Sequence, residues 1–143
     1  MHDPIFQFML FLFGVTIFLI VAMGLPFFKA TAPKTAIAEL KANGTLLYKK
    51  KIKLEAKWNV SKGQALPIEI YSNGIIIYPL FIREIPIDRT EIKRTILERP
   101  FIFQRIKLIH SSKFTHSPLY FNYNPELWNV LQHYCDAPEQ ASN

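Results

Sequence analysis

Three groups of residues have the types and spacing to do chemistry. The stretch "HSSKFTHSP", residues 110–118, could set Ser111 or Ser112 as a nucleophile beside His110 or His116 as a base. It lacks both a G-x-S-x-G turn and a paired acidic motif, so it reads as a polar loop. His110, His116, His133 and Cys135 could be drawn as zinc ligands, but their spacing matches no zinc site. The five glycines are scattered and make no phosphate-binding loop. We therefore expect no catalytic residue, no metal and no cofactor, and a protein that is not an enzyme.

The third group is the run "YKKKIKLEAKWNV", residues 48–60. Between Lys41 and Lys62 seven lysines stand against one carboxylate, Glu55, in a chain whose net charge is +6. A lysine beside an anionic leaflet contributes about 1 kcal/mol, so four or five at one height would hold a domain on lipid. Lys49, Lys50, Lys51, Lys53, Lys57 and Lys62 are accordingly the expected contacts to anionic lipid headgroups or to an acidic protein partner. The competing reading is a solvated strand face whose lysines guard an edge against aggregation. Nucleic acid is not expected, because Trp58 falls on the buried face and Tyr48 and Trp58 offer no stacking platform beside the lysines.

These residues must be positioned by elements that the hydropathy pattern outlines. From Ile5 to Leu25 the sequence is apolar except for Gln7 and carries no charge. At about 1.5 Å per residue this is roughly 30 Å of helix, the thickness of a bilayer's hydrocarbon layer. It predicts a single transmembrane helix in an anchor of residues 1–26, and a cleaved signal peptide is disfavoured by the missing basic start and the long apolar core. Every one of the 17 lysines and arginines follows it, which predicts a single-pass membrane protein with a cytoplasmic C-terminal domain. Residues 27–44 read as a juxtamembrane linker, with Phe27 and Phe28 at headgroup level and a short helix over Thr35–Asn43. The single Cys135 allows no internal disulfide, in keeping with a reducing compartment.

Beyond Thr45 the period changes to two. In "KIKLEAKWNV" Ile52, Leu54, Ala56, Trp58 and Val60 share one face, and Lys51, Lys53, Glu55, Lys57 and Asn59 the other. "IEIYSNGIIIYPLF" supplies two apolar runs joined through Asn73-Gly74, a pair suited to the positive φ angles of a type I′ hairpin. Further strands are predicted at Glu84–Ile87, Glu91–Leu97, Phe101–His110 and Leu119–Tyr123, with bends or edges at Pro79 and Pro86. In "NPELWNVLQHY" Asn124 is the N-cap and Pro125 the first helical residue, and Leu127, Val130, Leu131 and Tyr134 form the stripe of an amphipathic helix. Residues 136–143 read as a disordered tail. The expected fold class is thus an N-terminal transmembrane helix plus a mainly-β (α+β) domain at 45–135, an open antiparallel barrel of about seven strands closed by Leu127, Trp128 and Leu131 of a C-terminal helix.

That order of elements resembles a pleckstrin-homology-like (PH/GRAM-like) domain tethered to a bacterial membrane. The residues that carry the likeness are "IEIYSNGIIIYPLFIREIPIDRTEIKRTIL", "RIKLIHSS" and the terminal "NPELWNVLQHY", over roughly Thr45–Tyr134. The resemblance implies a non-enzymatic binding or scaffold module, with Lys51, Lys53, Lys57 and Lys62 in the strand and loop that carry the basic cluster of lipid-binding members. No Lys-x-Arg signature accompanies them, so the family's ligand does not transfer. The expected function is a membrane-anchored module that engages a protein partner or an anionic lipid surface through its β domain. The alternative is a small accessory subunit of a larger membrane protein complex.

Overall fold

The computed structural model describes residues 3–24, 29–56, 64–80, 83–99 and 102–136. The elements run α1 (Pro4–Gly24), α2 (Lys34–Asn43), β1 (Leu46–Ala56), β2 (Gln64–Tyr71), β3 (Gly74–Ile77), β4 (Ile85–Asp88), a 3-10 turn (Arg89–Glu91), β5 (Ile92–Glu98), β6 (Arg105–His110), β7 (Leu119–Asn122) and α3 (Pro125–Asp136). The expected strand at Phe101–His110 begins only at Arg105, and the part of the first strand beyond Ala56 lies outside the described residues, as does the tail from residue 137 onward.

The seven strands form one antiparallel sheet in the order β4-β3-β2-β1-β7-β6-β5. Its two edge strands, β4 and β5, are consecutive in sequence and joined only by Arg89–Glu91, so the sheet must curl until its edges approach at that corner. Asp88 makes the corner sharp: its carboxylate accepts from the Thr90 backbone and hydroxyl, while Glu91 accepts from the Asp88 N–H. Period-two alternation then turns Ile52, Leu54, Leu66, Ile68, Ile70, Ile75, Ile77, Ile106, Leu108, Leu119 and Phe121 into one interior. Each such side chain contributes about 1.5–3 kcal/mol by leaving water.

α3 covers this interior, as its stripe predicts. Asn124 accepts from the N–H groups of Glu126 (3.0 Å) and Leu127 (3.2 Å), which starts the helix. Leu127, Leu131 and Tyr134 are buried in the core, while Trp128 packs against it only partly buried. The Tyr134 hydroxyl donates to the Gly74 carbonyl at 3.1 Å, pinning the helix end to β3.

One local expectation changes. No glycine among the described residues has a positive φ, and the hairpin turn is centred on Ser72-Asn73, with Gly74 already paired to Tyr71 in the ladder. Gly74 is required instead by crowding, because a Cβ there would lie 2.5 Å from the Ile87 carbonyl oxygen and 2.8 Å from Leu40 Cδ1. Pro67 occupies a central strand, where a missing N–H normally costs a ladder bond. Its carbonyl accepts from Tyr78 just past the end of β3, so the proline nitrogen faces the side where pairing has stopped.

The linker before β1 is docked on the domain. Lys29 N–H donates to the Phe114 carbonyl at 3.0 Å, Ala32 joins the main core, and α2 lays Leu40 and Ile37 over Tyr71, Ile76 and Tyr78 on the outer face of β2 and β3.

The expected transmembrane helix is corrected. α1 covers the expected segment and is capped by Asp3, whose carboxylate accepts from Ile5 N–H. Among the described residues no helix is long and apolar enough to cross a membrane. The membrane anchor, the single-pass localisation and the cytoplasmic orientation all rested on that span and are withdrawn with it. Phe27 and Phe28, expected at headgroup level, lie outside the described residues.

Candidate binding site

Of the six expected lysines, the four described do not form one face. β1 pairs with β2 in a register that sets Lys49 opposite Glu69, Lys50 opposite Ile68, Lys51 opposite Pro67 and Lys53 opposite Ala65. Directly opposed residues share a face of the sheet. Lys49, Lys51 and Lys53 therefore stand on the outer face, while Lys50 alternates with them and starts from the inner one. Lys57 and Lys62 lie outside the described residues.

Two of the four described lysines are consumed by structure. Lys49 Nζ sits 2.9 Å from Glu69 Oε1. Glu69 is only 7% exposed, and its other oxygen accepts from the Tyr78 hydroxyl at 2.6 Å and the Tyr71 hydroxyl at 2.9 Å, with Lys41 at 3.9 Å. Burial pushes this carboxyl upward, but the hydrogen bonds from Tyr78, Lys49 and Tyr71 and the Lys49 charge outweigh it and bring the pKa down to about 2. Tyr78 moves the opposite way, its pKa raised by burial and by the carboxylate it donates to. Lys50 reaches out of the open end of the sheet to Glu126 in the first turn of α3, passing over the Tyr48 ring.

Lys51 and Lys53 are different. Both are exposed, and none of the ion pairs among the described residues includes either. Their opposite numbers, Pro67 and Ala65, carry no charge. Lys53 also borders a shallow depression of about 360 Å³ with Glu55, Phe103, Gln104, Arg105, Tyr120, Asn122 and Tyr123, where β1 splays from β7. The splay is real in the ladder: β1 pairs with β2 from Leu46 to Leu54 but with β7 only from Leu54 to Ala56. Across the depression Arg105 stacks on the Tyr120 ring with its guanidinium 4.2 Å from the centroid. Glu98 ties Arg105 at 2.9 Å and Lys107 at 3.3 Å, and although burial pushes its carboxyl upward, these two partners hold it below the usual carboxylate range.

The serine and histidine loop is held together by its own backbone. His110 Nδ1 accepts from Ser112 N–H at 3.1 Å, which leaves Nε2 to donate to the His116 carbonyl at 3.0 Å. Burial lowers the His110 pKa, so the ring is neutral and both nitrogens are occupied. Ser112 Oγ donates to the Pro86 carbonyl at 3.4 Å, and Ser111 Oγ to the Glu91 carbonyl at 3.3 Å. These bonds fasten β6 to the β4–β5 corner. Among the described residues no group of three or more His, Cys, Asp or Glu is placed to hold a metal ion.

Sequence reasoning missed Glu69, Tyr71 and Tyr78. Their signal was present, since Glu69 is a lone charge in the apolar run "IEIY" at a position that faces a lysine once the β1–β2 register is known. It also missed Phe103, Arg105 and Tyr120, which only the β5–β6–β7 pairing brings beside Lys53. No family model matches the chain, and no curated protein matches it.

Proposed function

We propose that the chain is a non-enzymatic binding module whose β domain engages an anionic partner, either lipid headgroups or an acidic protein, through the outer face of β1. The observation that carries this reading is the pair Lys51 and Lys53, two adjacent outer-face cations that no ion pair among the described residues includes, on a strand whose Lys49 and Lys50 are each paired with a glutamate. The pleckstrin-homology-like resemblance agrees with it, since a curled seven-stranded sheet with a helix across one end presents a rigid outer face. A strand already holds the backbone of these lysines in place, so ordering on binding is confined to their side chains.

The test compares full-length protein on neutral phosphatidylcholine vesicles and on vesicles enriched in phosphatidylserine. Whatever α1 does on a vesicle is common to both, so the difference isolates the charged face. Lys51→Gln with Lys53→Gln should remove about 2 kcal/mol, roughly thirtyfold, of the preference for anionic vesicles. If the wild type shows no such preference, the lipid arm fails. Photo-cross-linking from position 51 or 53 to a stoichiometric acidic partner then decides the protein arm.

A second reading follows from α1. Ile5, Phe6, Phe8, Phe11, Phe13 and Phe18 are all exposed, and they lie on every side of the helix. A helix that is apolar all round needs surroundings that the described residues do not supply. An accessory subunit whose α1 is covered by other chains of a larger complex meets that need. Native-gel migration of the purified chain as a small monomer or dimer would remove this reading.

A further inference from the structure

The connection between β5 and β6 carries two consecutive large apolar residues in water: Ile102 is 88% exposed and Phe103 70%. They precede Arg105 and follow Arg99, which is itself exposed. Phe103 and Lys53 border the same depression, together with Glu55 and with Tyr123, which is 37% exposed. An apolar side chain, an amphipathic ring and an outer-face lysine thus meet at one depression of the domain.

We propose that Ile102 and Phe103 form the apolar wedge of a shallow, peripheral contact with an anionic lipid surface, with Lys51, Lys53 and Arg99 holding headgroups around it. The proposal rests on the reading above that the outer face of β1 meets an anionic partner, and it commits that partner to lipid. It requires no membrane-crossing helix. Charge and apolar character together favour lipid, because a layer of anionic headgroups over an acyl core meets the cations and the two apolar side chains at once.

The charge balance agrees. Glu98 is occupied by Arg105 and Lys107, and the Glu55 carboxylate that borders the depression stands as one negative charge against Lys51, Lys53 and Arg99, so the rim is net positive. Tyr123 suits the boundary between headgroup and acyl chain, with an apolar body and a polar tip.

Local environment is the readout, because it separates this contact from anything α1 does. In full-length protein with Cys135→Ser, a single cysteine at Phe103→Cys or at Ala65→Cys carries an environment-sensitive nitrobenzoxadiazole dye. Ala65 is the exposed residue opposite Lys53. With phosphatidylserine-containing vesicles the dye at 103 should shift to the blue with a several-fold gain in intensity. The dye at 65 should lose accessibility to acrylamide without that shift, and Lys51→Gln with Lys53→Gln should reduce both responses. If 65 is shielded and 103 stays aqueous, the wedge is wrong while the anionic-surface reading stands. If neither responds, both the wedge and the lipid arm are wrong. An equal response at 103 on neutral vesicles would overturn the role of the cationic rim.

Discussion

Lys49 and Lys51 lie two residues apart on the same face of the same strand, yet the fold uses them in opposite ways. Lys49 faces a buried glutamate that two tyrosine hydroxyls already grip, and the assembly lies beside α2. Lys51 faces a proline and meets no carboxylate among the described residues. What distinguishes them is the cross-strand partner. A lysine run is therefore a poor unit of function: its members are sorted one by one by the neighbouring strand into structural ties and available charges.

The largest test of this contrast is Glu69 itself. Glu69→Ala removes the acceptor of two tyrosine hydroxyls and the partner of Lys49, and should cost about 3 kcal/mol in thermal unfolding. The same substitution at exposed Glu126, the partner of Lys50, should cost less than 1 kcal/mol. Equal losses at the two sites would erase the distinction between the buried tie and the exposed one.

Acid should reveal the same asymmetry. The Glu69 carboxyl titrates at about 2 when folded, below its ordinary value of 4.5. A depressed folded pKa means that the unfolded chain binds the proton first, so this stabilisation is complete above about pH 4.5 and lost as pH falls toward 2. It amounts to roughly 3 kcal/mol over that window. Glu69→Gln should flatten the acid limb of the stability profile, and an unchanged limb would mean that other carboxylates govern it.

The sequence made the skeleton legible and the sorting illegible, for a physical reason. Period-two alternation in β1, the stripe of α3 and the cap at Asn124 are local patterns, and they appear where they were read. The docking of residues 29–33, the crowding at Gly74 and the Glu69 cluster depend on which strands become neighbours. The apolar segment at the start shows the opposite error. Its composition carried the expectation of a membrane span, and among the described residues no helix is long and apolar enough to cross one.

The smaller predictions sharpen the comparison inside β1. Lys49→Gln leaves Glu69 with its two tyrosines and removes one charge partner whose own side chain is 67% exposed, so it should cost about 1 kcal/mol. Lys51→Gln and Lys53→Gln disturb neither packing nor an ion pair and should change stability by less than about 0.5 kcal/mol. The same two substitutions should have the greater effect on the preference for anionic vesicles, with Lys49→Gln weaker there because its charge is already shared with Glu69. The two rankings are therefore opposite, and measuring both on one set of variants tests the sorting directly. If stability and vesicle preference ranked the lysines in the same order, the outer face would act as a single charged surface, and the partner across the ladder would not decide what each lysine does.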